Sequence, residues 1–171
     1  MKLSKNDFLI KEGTNKDLED ILNIQQEAFE LLNNSTILRK NSPETLLECL
    51  TKPNITLGAW YNGELAGFAV MIFPEPEENL ADDLINIPCK NLKFANYKLC
   101  IVKEKFRGNS LQYELGKRLI EIAQNSGVQI LCCTVSPENP YSIRNVEKLG
   151  FSYNRTLPKY GFIRNLYYKM I

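Results

Sequence analysis

The stretch from Leu99 to Phe151 constrains the fold more than any other part of this chain. A strand-like run, Leu99-Cys100-Ile101-Val102, leads to Phe106-Arg107-Gly108-Asn109-Ser110-Leu111-Gln112, which opens a helix. A second strand-like run, Ile130 to Val135, reaches the polar turn Asn139-Pro140-Tyr141-Ser142. A short helix then closes on Glu147-Lys148-Leu149-Gly150-Phe151. Backbone amides at a helix start can receive an anion, and two neighbouring strands can receive an extended molecule between them.

The flanking sequence supplies the rest of a sheet. Phe8-Leu9-Ile10 reads as a strand. Thr14 with Asp17 resembles a capping box before a helix whose apolar face carries Leu18, Ile21, Leu22, Phe29 and Leu32, with Gln25 as the exception. Ser42-Pro43 starts a second helix, and Pro53 stops it. Ile55–Trp60 and Leu65–Phe73 are strands joined through Asn62-Gly63, a hairpin signal because both residues tolerate positive φ. Phe94–Val102 is a strand, Asn109–Asn125 an amphipathic helix closed by Gly127, and Val128–Val135 a buried strand. Tyr141–Leu149 is a short helix. Phe151–Arg155 and Ile163–Met170 form a closing pair, separated by a turn over Leu157–Gly161. The acidic segment Pro74–Pro88 reads as a solvated loop with a helical turn near Leu80–Leu84; its other reading is a rim that attracts a cationic amine. The order β-α-α-β-β-β-α-β-α-β-β makes a mixed α/β sheet with helices packed on it.

Composition narrows the function. A chain of 171 residues fits one domain with a sizeable core. A net charge of +1 gives no global field for nucleic acid or a membrane surface. No apolar run is long enough to span a bilayer, and Met1 to Asp7 lacks a signal-peptide core. Five cysteines without metal-like spacing read as reduced thiols in a cytoplasmic protein. The chain has no histidine, which removes the commonest general base and every histidine-based metal site or catalytic triad.

These motifs resemble the GCN5-related N-acetyltransferase family. Members open the helix after the fourth strand with Arg/Gln-x-x-Gly-x-Gly/Ala. Here the register is Arg107-Gly108-Asn109-Ser110-Leu111-Gln112, with Ser110 and Gln112 in the two later small positions. Members often read Asn-x-x-Ala-x-x-Leu-Tyr-x-Lys-x-Gly-Phe after the fifth strand; here Asn139, Lys148, Leu149, Gly150 and Phe151 stand in register. Ser142 replaces the alanine, and Val146 replaces a tyrosine that protonates the departing thiolate in many members. The resemblance implies the acyl-CoA N-acyltransferase fold over residues 1–171: α/β, with a mixed, mostly antiparallel central sheet and helices on both faces. It implies acetyl-CoA as acetyl donor and an amine-bearing acceptor, and no metal. It also leaves a homodimer open, since members are often dimers. The implied cofactor contacts are the backbone at Cys100, Ile101 and Val102, the pyrophosphate loop Arg107, Gly108, Asn109, Ser110, Leu111 and Gln112, and Asn139 with Ser142 along the pantetheine arm.

Chemistry then defines a gap. An ammonium with a pKa of about 10 must lose a proton before it attacks a thioester. Ala95 to Val102 holds no carboxylate, so Tyr97 is the only hydroxyl acid on that strand, either relaying protons through water or simply packed. Tyr141 and Tyr160 are further candidates for the missing acid. Cys100 has no histidine to activate it as a nucleophile and reads as core. The leading expectation is direct acetyl transfer from acetyl-CoA to a primary amine. The alternative is a CoA-binding regulatory module of the same fold with little activity.

Overall fold

The computed structural model describes residues 2–171. Among them one seven-stranded sheet runs in the order β1-β2-β3-β4-β5-β7-β6. The strands are β1 (Leu9–Glu12), β2 (Ile55–Tyr61), β3 (Glu64–Ile72), β4 (Phe94–Val102), β5 (Ile130–Val135), β6 (Ser152–Lys159) and β7 (Phe162–Met170). The helices are α1 (Leu18–Glu30), α2 (Pro43–Cys49), α3 (Leu111–Asn125) and α4 (Pro140–Lys148). Every strand pair is antiparallel except β4 with β5. The expected mixed, mostly antiparallel sheet is therefore present.

Two cores hold helices to opposite faces. Leu111, Leu115, Leu119 and Ala123 of α3 pack with Val146 and Leu149 against Ala66, Ala69, Ala95 and Leu131 on one side. Ile21 and Ile24 of α1 and Leu46 and Cys49 of α2 pack against Phe68, Val70 and Ile101 on the other. Gln25, the polar exception on the apolar face of α1, is buried. Its Nε2 donates to the Asn41 carbonyl at 2.9 Å and its Oε1 accepts from the Asn41 amide at 2.9 Å, which fixes the chain just before α2. A buried amide is retained here because its polar atoms are satisfied.

Two local expectations need correction. The last hairpin does not turn over Leu157–Gly161: β6 runs on through Pro158, and the turn is Tyr160-Gly161 with φ of 57° and 79°. Proline is tolerated there because β6 is an edge strand. Helix α3 begins at Leu111 rather than Asn109, because Ser110 adopts a left-handed conformation (φ 60°, ψ 16°) that breaks the helical run. In the acidic segment, Leu80 and Ala81 anchor a short 3-10 turn in a small third core, and Asp83 pairs with Lys159. The helical turn read near Leu80–Leu84 is thus present, and Glu75, Glu77, Glu78 and Asp82 around it are exposed, as a solvated loop requires.

The decisive feature is the parting of β4 from β5. They pair in parallel only over Phe94–Asn96 and Ile130–Cys132. Beyond that point β5 stays with β7 up to Val135, while β4 stays with β3. Val70 lies opposite Leu99 and Met71 opposite Tyr97, so Lys98 is an extra residue in β4. Such a bulge bends the strand and increases its twist, which steers β4 away from β5.

Candidate active site

The wedge between β4 and β5 opens into a cleft of about 1040 Å³. One half is bounded by the start of α3 and by α4. The other is bounded by the loop between α1 and α2, the Lys98 bulge and the β6–β7 hairpin.

The first half is made largely of backbone. The amides of Gly108, Ser110, Leu111, Gln112 and Tyr113 donate to no acceptor among the described residues, and Ser110 provides no side-chain cap. Unsatisfied amides at a helix start, aligned with the positive end of the helix dipole, form an anion cradle. A Cβ on Gly108 would meet nothing within 4 Å, so the loop is open on that side. Arg107 stands beside the cradle with its Nε donating to the Val102 carbonyl at 3.4 Å. Lys148 of α4 lies 4.3 Å from the centroid of the Tyr113 ring of α3, and Arg144 lies over Tyr141. These three cations add to the field of the amides.

The residues singled out in the sequence divide clearly. Cys100, Ile101, Val102, Arg107, Gly108, Ser110, Leu111, Gln112, Asn139 and Ser142 line the cleft together. Asn109 does not: its side chain is buried, accepting from the Leu3 amide at 2.8 Å and donating to the Phe106 carbonyl at 3.0 Å. That side chain shapes the loop instead of meeting a ligand. Asn139 caps α4 by accepting from the Ser142 amide at 3.1 Å, leaving its side-chain NH2 without a partner among the described residues. Cys100 is pushed up to about 12 by burial, so it is an inert thiol at neutral pH.

Tyr97 and Tyr141 sit in contrasting places. The Tyr97 ring stacks on Phe151 at 6.1 Å, and its hydroxyl is enclosed without a geometrically sound hydrogen bond. A Cβ on Gly116 would lie 3.2 Å from that hydroxyl, so the absence of a side chain on α3 makes its space. Burial pushes Tyr97 well above the usual phenol range, with nearby Cys100 adding to the shift. A hydroxyl sealed in this way does not sit on a water path. Tyr141 is 73% exposed at the mouth of the cleft. Val146 is buried and brings no proton donor.

The second half is made of side chains that the sequence did not bring together. Arg39 rests 4.0 Å over the Tyr160 ring. Arg164 is 4% exposed; it donates to the Thr36 carbonyl at 2.7 Å and lies 4.9 Å from the Phe162 ring centroid. Lys98 is half-buried and makes no hydrogen bond or ion pair among the described residues. Burial lowers the pKa of both Lys98 and Arg164, and repulsion by Arg39 adds to it; at Lys98 this is opposed by Cys49, more strongly than Arg39 acts, and by Glu78 and Glu48. Glu138 is the only carboxylate on the cleft wall among the described residues. It accepts from Asn34 and, at 3.4 Å, from the Thr36 hydroxyl. With the Arg164–Thr36 bond, this ties the α1–α2 loop to both the β5–α4 turn and β7. None of the carboxylates of the acidic segment lines the cleft.

The family model described as the acetyltransferase (GNAT) family matches residues 18–151. Solved structures share the fold. Ard1 from Thermoplasma volcanium superposes with a TM-score of 0.75 at 18% identity, covering 96% of this chain and 98% of its own. The ribosomal-protein-alanine N-acetyltransferase from Brucella melitensis gives 0.73 at 22% identity, covering 95% and 99%. The acetyltransferase-assigned yncA from Salmonella typhimurium, solved with its cofactor acetyl-CoA, gives 0.73 at 18% identity, covering 96% and 94%. No curated protein matches the sequence.

Proposed function

The chain belongs to the GNAT acetyltransferase family, whose acetyl donor is acetyl-CoA, and from that premise we propose that it is an N-acetyltransferase acting directly on a primary amine. The observation that carries this reading is the parted β4–β5 wedge ending at an unsatisfied amide cradle flanked by Arg107, Arg144 and Lys148. The donor set fits the group. A pyrophosphate matches the amides of Gly108, Ser110, Leu111, Gln112 and Tyr113 and the nearby cations. A pantetheine arm carries amides that can pair with the free edge of β4 from Tyr97 to Val102, and the unpartnered NH2 of Asn139 faces the same cleft.

Acetyl-CoA, when bound, supplies an activated acetyl thioester; its transfer forms one C–N bond, breaks one C–S bond and leaves a thiol carrying the proton lost by nitrogen. The protein's contribution is position and charge. Holding the reactants together converts an encounter into an intramolecular step. Arg39, Lys98 and Arg164 disfavour a fourth positive charge nearby, so they favour the neutral amine that can attack. This replaces the carboxylate base missing from β4. In this reading water in the open half of the cleft takes the proton, and Tyr141, exposed at the mouth, serves as the hydroxyl that returns one to sulfur. Glu138 is a strap for the α1–α2 loop in this scheme. The five free thiols fit a reducing, cytoplasmic setting.

The test is an amine panel with acetyl-CoA, read both as free-thiol release and as the mass of one acetyl group added to the acceptor. Thiol release that depends on the amine supports the reading. CoA binding without acetylation of any amine favours the regulatory module, for which the buried Val146 and the sealed Tyr97 hydroxyl speak.

A further inference from the structure

Resting on the reading of the cleft as an acetyl-transfer site, we infer that its acceptor is a small amine carrying a carboxylate or phosphate, held by the Arg39–Lys98–Arg164 cluster. Three cations from three separate elements meet on one cleft wall. No carboxylate pairs with any of them among the described residues. Arg164 is 4% exposed and its only hydrogen bond among these residues is to the Thr36 carbonyl. Lys98 sits on a bulge, where an extra residue was placed into β4.

A buried or half-buried charge without a partner is costly to a fold. Two half-buried cations elsewhere do meet a carboxylate: Lys103 meets Glu64, and Lys159 meets Asp83. Buried Arg164 and half-buried Lys98 have no carboxylate partner among the described residues, and exposed Arg39 lies close enough to repel both, so this wall gathers three cations with nothing to balance them. An incoming anion would complete the site with charge-assisted hydrogen bonds, the fork of a guanidinium being suited to carboxylate or phosphate.

The carboxylates that face the cluster do not change this. Glu78 and Glu48 act on Lys98 only at a distance, and Glu138 is committed to Asn34 and Thr36. A cationic polyamine would meet repulsion here. An anionic group on the acceptor offsets that repulsion, while the same cations still favour its uncharged amine. A small acceptor suits a loop held in place: the α1–α2 loop is tied to Glu138 and Arg164 and does not swing aside to admit a chain.

The experiment uses matched acceptors with acetyl-CoA: L-leucine against L-leucinamide for carboxylate, and phosphoethanolamine against ethanolamine for phosphate. The anionic member of at least one pair should show a kcat/KM at least tenfold higher, carried by KM, and the pair that responds identifies which anion is held. Lys98→Met and Arg39→Gln, neither of them at a fully buried position, should bring that ratio towards one while the affinity for acetyl-CoA is retained. Lys52→Met, which removes an equal charge at the exposed Glu12 ion pair, should leave the ratio alone. Equal or better turnover of both uncharged partners overturns this inference but leaves the acetyltransferase intact. If no amine is acetylated, calorimetry of L-leucine and phosphoethanolamine with the CoA-saturated protein decides separately. Binding that weakens in Lys98→Met supports the anion site, and absence of binding by both overturns it.

Discussion

On the α3 side of the cleft the binding surface is backbone: the amides of Gly108, Ser110, Leu111, Gln112 and Tyr113, which donate to no acceptor among the described residues, at one helix start. On the α1–α2 side it is side chain: Arg39, Lys98 and Arg164, delivered by a loop, a bulge and a strand far apart in sequence. The first surface depends on how one short segment folds and tolerates changes such as Ser110 and Gln112. The second depends on charge at three positions and would change completely with a few substitutions. Under the proposed reading, the cofactor half keeps its chemistry through substitution while the acceptor half varies with it.

The strongest way to break the comparison is to place a negative charge at the backbone half. In Ser110→Glu a carboxylate would compete for the amides at the start of α3 and repel phosphate. Affinity for CoA should fall by about a hundredfold, equivalent to about 2.7 kcal/mol, with the circular dichroism spectrum unchanged. A folded variant that binds CoA as tightly as the parent would show that the cradle is elsewhere.

The side-chain half is probed by pH. Like charges lower the pKa of an ammonium, so kcat should rise with pH and level off below the acceptor's own value of about 10. No step near the histidine value of about 6.5 should come from the enzyme, which has no histidine. Lys98→Met should move the midpoint upward. The sign for Lys98 itself is opposite to that of an ion-paired lysine. Its folded pKa is lowered by burial, so its penalty to stability is fully present below the folded pKa and is relieved as pH rises towards the unfolded value. Lys98→Met should therefore melt higher than the parent at pH 7, with the gain shrinking at alkaline pH. A midpoint that stays in place in the variant would remove the cluster from the deprotonation step.

The same division explains what could be read from the sequence. The strands, the helices and the Asn62-Gly63 hairpin follow from periodicity and from Gly and Pro placement, both local. The amide cradle was legible because Arg107 to Gln112 is contiguous and opens a helix. Pro158 misled because a proline looks like the end of a strand unless that strand is known to be an edge. Asn109 misled because nothing in its spacing tells that its side chain holds Leu3 and Phe106. Arg39, Glu138 and Arg164 left no signal, since only the closed sheet brings them to one wall with Lys98. Lys98 had one indirect trace: a charged residue inside an otherwise apolar strand.

A smaller effect separates Tyr97 from the chemistry. Its hydroxyl is buried and unsatisfied, and removing such a group is nearly neutral or stabilising. Tyr97→Phe should keep or slightly raise the melting temperature and slow turnover by tens of fold at most; Tyr141→Phe should stay within the same limit if water can substitute. A loss of about a thousandfold in either variant, with acetyl-CoA still bound, would mark that tyrosine as a principal acid or base, since such catalysis is typically worth about 10²–10⁴-fold.

The finest test returns to Ser110, where the backbone half carries its own strain. The residue sits at φ 60°, ψ 16° with no side-chain cap to compensate. A left-handed residue with a Cβ costs roughly 1–2 kcal/mol, and glycine avoids that while losing roughly 0.5–1 kcal/mol through the freedom of its unfolded chain. Ser110→Gly should therefore stabilise the protein by about 0.5 kcal/mol, read as a small rise in the denaturant midpoint with an unchanged slope. CoA affinity should stay equal or improve, because the amides that form the cradle are untouched. If the variant is instead less stable and binds CoA more weakly, the serine hydroxyl is itself part of the anion site, and the cofactor half is not made of backbone alone.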